Sequence, residues 1–284
     1  MAIIVKAGGT IAAEREIMES LVREIWACRT RENEQVLLIH GGGKAVTELA
    51  GKLGIVSTFR DGVRLTGSDE MALVDMVLAG LNNTELVRLA QRLGIPALGL
   101  TGADGALLTG RILYPEEGGR TAEVAEVNPA VIRVAQAAGF LPILATVGIG
   151  RDGGAVNINA DEAAQAIAQA LARGTSPGAA TSADPGPVRL CYVSDTAGVL
   201  DAAGSVIREI SLEEVESLIA RGVVQGGMAA KLRSCAAAVQ AGVERIVIGG
   251  YRNPGDLEDL LRGALGTSVV RITGEHGARQ GARE

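Results

Sequence analysis

Histidine and the aromatic residues are nearly missing from this sequence. Only His40 and His276 occur in 284 residues, too few for a histidine-based metal centre or a Ser–His triad. Aromatics make up 2% of the chain while hydrophobic residues reach 47%. The core must therefore be built from Ala, Val, Leu and Ile, side chains suited to a parallel sheet covered on both faces. Cysteine is scarce: Cys28, Cys191 and Cys235 form an odd set without Cys-x-x-Cys spacing, which reads as buried free thiols in a reducing cytoplasm. No apolar run approaches the roughly 20 residues that a membrane span needs. Met1–Lys6 enters a strand directly, which leaves no room for a signal peptide. Runs of Lys and Arg interleaved with aromatics are absent, and a net charge of −6 argues against a nucleic-acid partner.

What is present is a regular alternation. Ile3–Val5 reads as a strand, followed by Ile17, Leu21, Val22 and Ile25 at helical spacing. Val36–Ile39 is a second strand, followed by a helix through Val46, Leu49 and Leu53. Residues 58–66 look like a hairpin, and Ser68 is placed to cap a long helix with a kink near Asn82-Asn83. Ala97–Leu100 and Leu141–Val147 read as strands, with short hairpins expected over 104–127 and a helix capped by Asn128. Beyond Asp161–Ala172, a helix, residues 173–187 are rich in Gly, Pro, Ser and Ala and read as a surface loop. Strands at Val188–Val193 and Ile246–Ile248 and helices at Leu212–Ile219 and Met228–Gln240 complete the pattern, with a polar tail after Gly274. Such alternation is the signature of a doubly wound α/β sheet. A division near residue 155 gives an N-terminal lobe, 1–155, and a C-terminal lobe, 156–284.

Glycines mark the chemistry. Gly8-Gly9 and Gly41-Gly42-Gly43 each follow a strand and precede a helix. Bare amides at a helix start suit a phosphate chain, although each pair alone could be a tight structural turn. Neither is a Walker A loop, because Gly43-Lys44 is followed by Ala45. Gly148-Ile149-Gly150-Arg151-Asp152-Gly153 matches the dinucleotide pattern after a strand, but no helix follows to receive a pyrophosphate. Lys6 ends a buried strand, and Lys231 follows the helix-opening pair Gly226-Gly227. Each is either a functional ammonium or a solvated surface lysine. Asn157 and Asn159 fall on one face of an extended segment that reaches Asp161 at a helix start, where Asp161 could serve as a plain cap. Arg64 sits in the hairpin, suited to a bidentate grip on a carboxylate.

Six segments together carry a resemblance. Lys6-Ala7-Gly8-Gly9, His40-Gly41-Gly42-Gly43, Gly62-Val63-Arg64-Leu65-Thr66, Val156-Asn157-Ile158-Asn159-Ala160-Asp161, Ser194-Asp195-Thr196-Ala197-Gly198-Val199-Leu200 and Gly226-Gly227-Met228-Ala229-Ala230-Lys231 occur in the order and spacing of the amino-acid kinase family. Within it, the arginine hairpin and the Asn-x-Asn-Ala-Asp segment resemble the acetylglutamate kinases. The resemblance implies an α/β fold with an open, mainly parallel eight-stranded sheet sandwiched by helices, like that of carbamate kinase. The acyl amino acid would bind in the N-terminal lobe and the nucleotide in the C-terminal lobe.

The resemblance also implies roles. Lys6 and Lys231 would flank the transferring phosphoryl group, with Asp161 orienting both. Gly8, Gly9, Gly42 and Gly43 would donate amides to phosphates. Arg64, Asn157 and Asn159 would hold the acylated amino acid. Asp195, Thr196, Ala197, Gly198, Val199, Leu200, Gly226 and Met228 would contact nucleotide. ATP would be the co-substrate, with Mg2+ held mainly by its phosphates and no protein metal site. The acceptor would be the γ-carboxylate of N-acetyl-L-glutamate, in arginine biosynthesis. A kinase for aminoadipate or glutamate on an amino-group carrier protein, and a non-catalytic nucleotide or amino-acid sensor, are the alternatives. The chain starts at its first strand, without the preceding helix of arginine-inhibited relatives, so a cytoplasmic, arginine-insensitive homodimer is expected. Ala7, Gln225 and Gly249-Gly250-Tyr251 depart from the usual pattern.

Overall fold

In the computed structural model, which describes residues 1–8, 11, 14–60, 63–174 and 186–271, the alternation resolves into layers. The chain runs through β1 (Ala2–Ala7), α1 (Arg15–Glu32), β2 (Gln35–His40) and α2 (Gly43–Lys52). A hairpin of β3 (Thr58–Arg60) and β4 (Val63–Leu65) leads into α3 (Ser68–Val74), a π-helical stretch (Asp75–Asn82) and α4 (Asn83–Arg92). Next come β5 (Ala97–Thr101), β6 (Leu108–Ile112), β7 (Thr121–Val127), α5 (Ala130–Ala137), β8 (Leu141–Ala145), β9 (Val147–Gly150) and β10 (Ala155–Ile158). The second half holds α6 (Ala160–Ala172), β11 (Val188–Ser194), β12 (Glu209–Ser211), α7 (Leu212–Ala220), α8 (Gly226–Gln240), β13 (Arg245–Gly250), α9 (Asp256–Arg262) and β14 (Thr267–Val270).

One eight-stranded sheet spans both halves in the order β12-β14-β13-β11-β1-β2-β8-β5. The six strands from β13 to β5 are mutually parallel, and β14 runs antiparallel to β13. Strand β1 lies between β2 and β11, so the N-terminal and C-terminal halves meet in its hydrogen bonds. Its residues alternate between two cores. Ile4 packs with Leu37, Leu190 and the α6 and α8 residues Ala164, Ile167, Leu232 and Cys235, whereas Ile3 and Val5 pack with Val36, Leu38 and the α1 face of Met18, Leu21, Val22 and Ile25. The two-residue period of the strands thus feeds one helix layer on each face. Lys6 follows Ile4 on the α6–α8 face, where the sheet's C-terminal edge opens.

Two expectations change. Ser68 does not cap its helix: it is the first helical residue, and Gly67 precedes it with no side-chain hydrogen bond. Where a kink is expected near Asn82-Asn83 the helix runs through a π-helical stretch, the kind of wider turn that lets a helix admit an extra residue. It brings Asn83 into the core, where Nδ2 reaches His40 Nε2 (3.1 Å) and the Ile143 carbonyl (2.9 Å). The segment expected as hairpins extends into a closed four-stranded barrel of β10, β7, β6 and β9, and the Gly148–Gly153 pattern is the turn between antiparallel β9 and β10. Among the described residues no helix is long and apolar enough to cross a membrane. Cys191 and Cys235 are buried free thiols and Cys28 is a half-buried one.

Candidate active site

Lys6, at the C-terminal end of β1, and Lys231, in the second turn of α8, both reach Asp161 in the first turn of α6. Lys6 Nζ lies 2.7 Å from Asp161 Oδ1 and Lys231 Nζ lies 3.0 Å from Oδ2. Each oxygen of one carboxylate therefore faces its own ammonium. Burial, the largest single influence on Asp161, pushes its carboxyl pKa up; the Lys6 and Lys231 charges together outweigh it and hold the group below its ordinary value. Two cations and one anion leave a net positive centre, the sign required beside a phosphoryl group.

The sequence holds Asp161 there by a local device. Asn159, not Asp161, is the helix cap: its Oδ1 accepts from the N–H groups of Asp161 (2.8 Å) and Glu162 (3.3 Å). That frees the Asp161 carboxylate for the lysines. Below them lies Tyr192 on β11, which the sequence reading did not single out. Its ring centroid is 4.1 Å from Lys231 Nζ, and its hydroxyl donates to the Asp161 carbonyl at 3.0 Å.

Beside this centre is a cavity of about 360 Å3 lined by Gly42, Gly43, Arg64, Asn157, Asn159 and Ala160, among others. The strand β10 and the start of α6 join it to Asp161 directly. Helix α2 starts at Gly43 with no side-chain cap, so its first N–H groups lack intrahelical acceptors and point their dipole at the cavity end. At Gly42 a Cβ would stand 2.1 Å from Asn82 Nδ2 and 2.6 Å from Leu78 Cδ2; only glycine lets the long helix close on this loop. Neighbouring His40 is wholly buried, and desolvation, only partly opposed by its bond to the Gly41 carbonyl, lowers its pKa to about 4. It is a neutral structural ring, with Nδ1–H on Gly41 O and Nε2 accepting from Asn83.

Arg64 arrives already engaged. Nη1 donates to Glu70 Oε1 (2.6 Å) and Ser57 Oγ (2.5 Å), and Nη2 to the Gly43 carbonyl (2.8 Å) and Thr47 Oγ1 (2.7 Å). The expected bidentate grip through the two terminal nitrogens is therefore taken up internally, and Nε is the one guanidinium nitrogen that makes no hydrogen bond among the described residues. The hairpin is braced further: Thr121 Oγ1 donates to the Arg64 carbonyl (2.7 Å), and Asn157 Nδ2 donates to Thr66 Oγ1 (2.8 Å). Glu70, Ser57 and Thr47 escaped sequence reasoning because none lies in the hairpin's strands, and they stand 6 to 17 residues from Arg64.

Three further expectations separate. Gly8 does not offer its amide to a ligand: its N–H donates to Val193 O at 2.8 Å, prolonging the β1–β11 ladder, and a Cβ there would sit 3.2 Å from that same oxygen. Gly9 lies outside the described residues. Val199 is buried, its N–H bonded to Thr267 Oγ1 (2.8 Å) and its carbonyl to Ile207 N–H (2.8 Å), so it braces the 195–200 loop and presents no free group. Gly198 is buried with it, while Asp195, Thr196, Ala197 and Leu200 are exposed at the sheet's C-terminal edge. Gly226 opens α8 with φ +57°, and no side chain caps that helix end; Met228 is half-buried in its first turn.

Comparison with known proteins identifies the family. The profile of the amino acid kinase family matches residues 1–175 and 179–250. An acetylglutamate kinase of Acidiphilium cryptum (strain JF-5) is 37% identical over 281 residues, covering 94% of this chain and 89% of that protein. One from Wolinella succinogenes is 38% identical over 243 residues, covering 83% and 79%. Among solved structures, smu.665 from Streptococcus mutans UA159 superposes with a TM-score of 0.76 at 26% identity, covering 95% and 99%. Carbamate kinase from Giardia lamblia bound to AMP-PNP, at 15% identity and a TM-score of 0.62 over 95% and 98%, shares the fold.

Proposed function

Because the chain belongs to the amino acid kinase family and, at 37% identity over nearly its whole length, to its acetylglutamate kinases, we propose that Lys6, Lys231 and Asp161 form the centre of phosphoryl transfer. The reaction is ATP-dependent phosphorylation of N-acetyl-L-glutamate to its γ-acyl phosphate, a step of arginine biosynthesis. A γ-carboxylate oxygen attacks the γ-phosphorus, the bond to the β–γ bridging oxygen breaks, and ADP leaves. The acceptor, with a carboxyl pKa near about 4.3, is already ionised at neutral pH. No general base is required, which suits a site where His40 is buried and neutral.

The observation that carries this reading is the pair of ammonium groups on opposite oxygens of Asp161. Phosphoryl transfer is mostly positioning and charge stabilisation. The acceptor cavity would draw Arg64 Nε from the N-terminal half and Asn157 and Asn159 from the start of the C-terminal half as polar contacts. Gly42 and Gly43 would offer amides to the phosphates. The C-terminal half would hold nucleotide against Asp195, Thr196, Ala197, Leu200, Gly226 and Met228. Magnesium would enter with ATP, on the phosphate oxygens.

The chain would work as a cytoplasmic homodimer. Strand β5 is an edge of the sheet, and Leu98 upon it, Val134 in α5 and Phe140 just before β8 are exposed (38%, 68% and 36%). An unprotected apolar edge strand calls for a cover.

Hydroxylamine trapping of the acyl phosphate tests the reaction, with N-acetylglutamate, free glutamate and α-aminoadipate compared side by side. Hydroxamate is expected with N-acetylglutamate. ADP release with aminoadipate and no hydroxamate from N-acetylglutamate would overturn the assignment.

A further inference from the structure

Tyr192 is in register with Lys6 across the β1–β11 pair, so the two side chains share a sheet face. It also touches both other members of the charged centre. The ring lies under Lys231 Nζ at 4.1 Å from its centroid, and the hydroxyl donates to the backbone carbonyl of Asp161 at 3.0 Å. The residue is 1% exposed. A side chain this buried holds one rotamer in a close-packed interior.

We infer that Tyr192 is a positioning residue for phosphoryl transfer: its π-face seats the Lys231 ammonium while its hydroxyl fixes the first turn of the helix that carries Asp161. This role rests on the assignment of Lys231 to the transferring phosphoryl group. An ammonium carries three donors. Asp161 Oδ2 takes one, and a ligand phosphate needs the others. A second carboxylate beneath Lys231 would compete with that phosphate for the donors and for the charge. An aromatic face attracts the cation through its quadrupole and leaves the net charge of the centre positive. The ring therefore fixes where the ammonium stands without neutralising it. Its partial desolvation, with Lys231 at 22% side-chain exposure, places the contact above the weakest, fully exposed class of such interactions.

The two functions of the side chain separate by substitution. Tyr192→Phe keeps the ring and loses the bond to Asp161 O; Tyr192→Leu loses both. With kcat measured at saturating ATP and N-acetylglutamate, Leu is expected to lower kcat by about 3- to 30-fold, the span of a cation–π contact. The KM for ATP should stay within about two-fold, because the ring touches no substrate. Phe is expected to recover most of the loss. A purely steric role could give the same order, so the deciding series places phenylalanine and its 4-fluoro, 3,5-difluoro and 3,4,5-trifluoro analogues at position 192. Fluorination weakens the quadrupole at nearly constant shape, and log kcat should fall stepwise along the series. Thermal melting of each variant shows that it folds.

A flat series, or a Leu variant with undiminished kcat, would overturn the role of the ring. Lys231→Ala serves as the control. If it abolishes turnover while the fluorinated series stays flat, Tyr192 alone is misassigned. If it leaves turnover intact, the assignment of Lys231 fails, and the role of Tyr192 with it.

Discussion

Arg64 and Glu70 form an ion pair at 2.6 Å from which water is almost wholly excluded, with side-chain exposures of 8% and 5%. The pair ties the β3–β4 hairpin to the first turn of α3, while the other arm of Arg64 grips the Gly43 carbonyl. One guanidinium thus joins the cavity wall to the glycine loop. Glu70→Ala would leave a buried cation without its counter-charge, at a cost of about 3–5 kcal/mol. Urea unfolding should register that loss. The KM for the acceptor should rise as well, since the cavity wall loses its brace. An unchanged unfolding midpoint would show that solvent screens the pair.

Gly42 is a second point of tight fit. Its hydrogen faces Asn82 Nδ2 and Leu78 Cδ2, where a methyl group has no room. Gly42→Ala should cost about 1–3 kcal/mol through overpacking and lower kcat at least about ten-fold, by shifting the start of α2. Stability and steady-state kinetics check both. Since both obstructing atoms end side chains, Asn82→Ala in the same chain should return part of the lost stability.

His40 sets a pH dependence. Its pKa falls from 6.5 to about 4 on folding. Between those values the unfolded chain binds a proton at this site that the folded chain refuses, so stability drops as the pH is lowered through the window. The full difference is about 3 kcal/mol. The depressed Asp161 carboxyl adds a loss in the same direction at lower pH, as it protonates. Chemical denaturation at pH 7, 5.5 and 4.5 should show a steep fall for the native sequence and a shallower one for His40→Asn, whatever the latter's stability at pH 7. Equal slopes would remove His40 from the account.

The edge strand supplies a prediction about assembly. Leu98→Glu puts a charge in the middle of the exposed β5 face. Sedimentation should report a dimer for the native sequence and a monomer for the variant. A native monomer would sink the dimer.

The alternation of strands and helices was legible because periods of 2 and 3.6 residues are local: Ile3–Val5 and Leu21–Ile25 announce their faces without reference to anything distant. Lys6, Asp161 and Lys231 were legible for another reason, their place in motifs whose order the fold preserves. What escaped was non-local. Nothing around Arg64 reveals that Glu70, Ser57 and Thr47 will take up its terminal nitrogens, and nothing around Tyr192 announces a lysine 39 positions later above its ring. Gly8 misled for a physical reason. A glycine after a strand can free its amide for a ligand or extend the ladder, and the parallel neighbour Val193, invisible from Gly8, decides which. At Asn159 and Asp161 either residue could cap a helix, and the choice of Asn159 sets the carboxylate free.

Two ammonium groups held on one carboxylate, in position to take up charge from a transferring phosphoryl group, are the core of the account. Single-turnover rates of Lys231→Ala with ATP and N-acetylglutamate, set beside calorimetric ATP affinity, test it most directly. The rate should fall by at least about a hundred-fold, with ATP affinity changed by no more than about ten-fold. A near-normal rate, or a loss confined to ATP affinity, would contradict it.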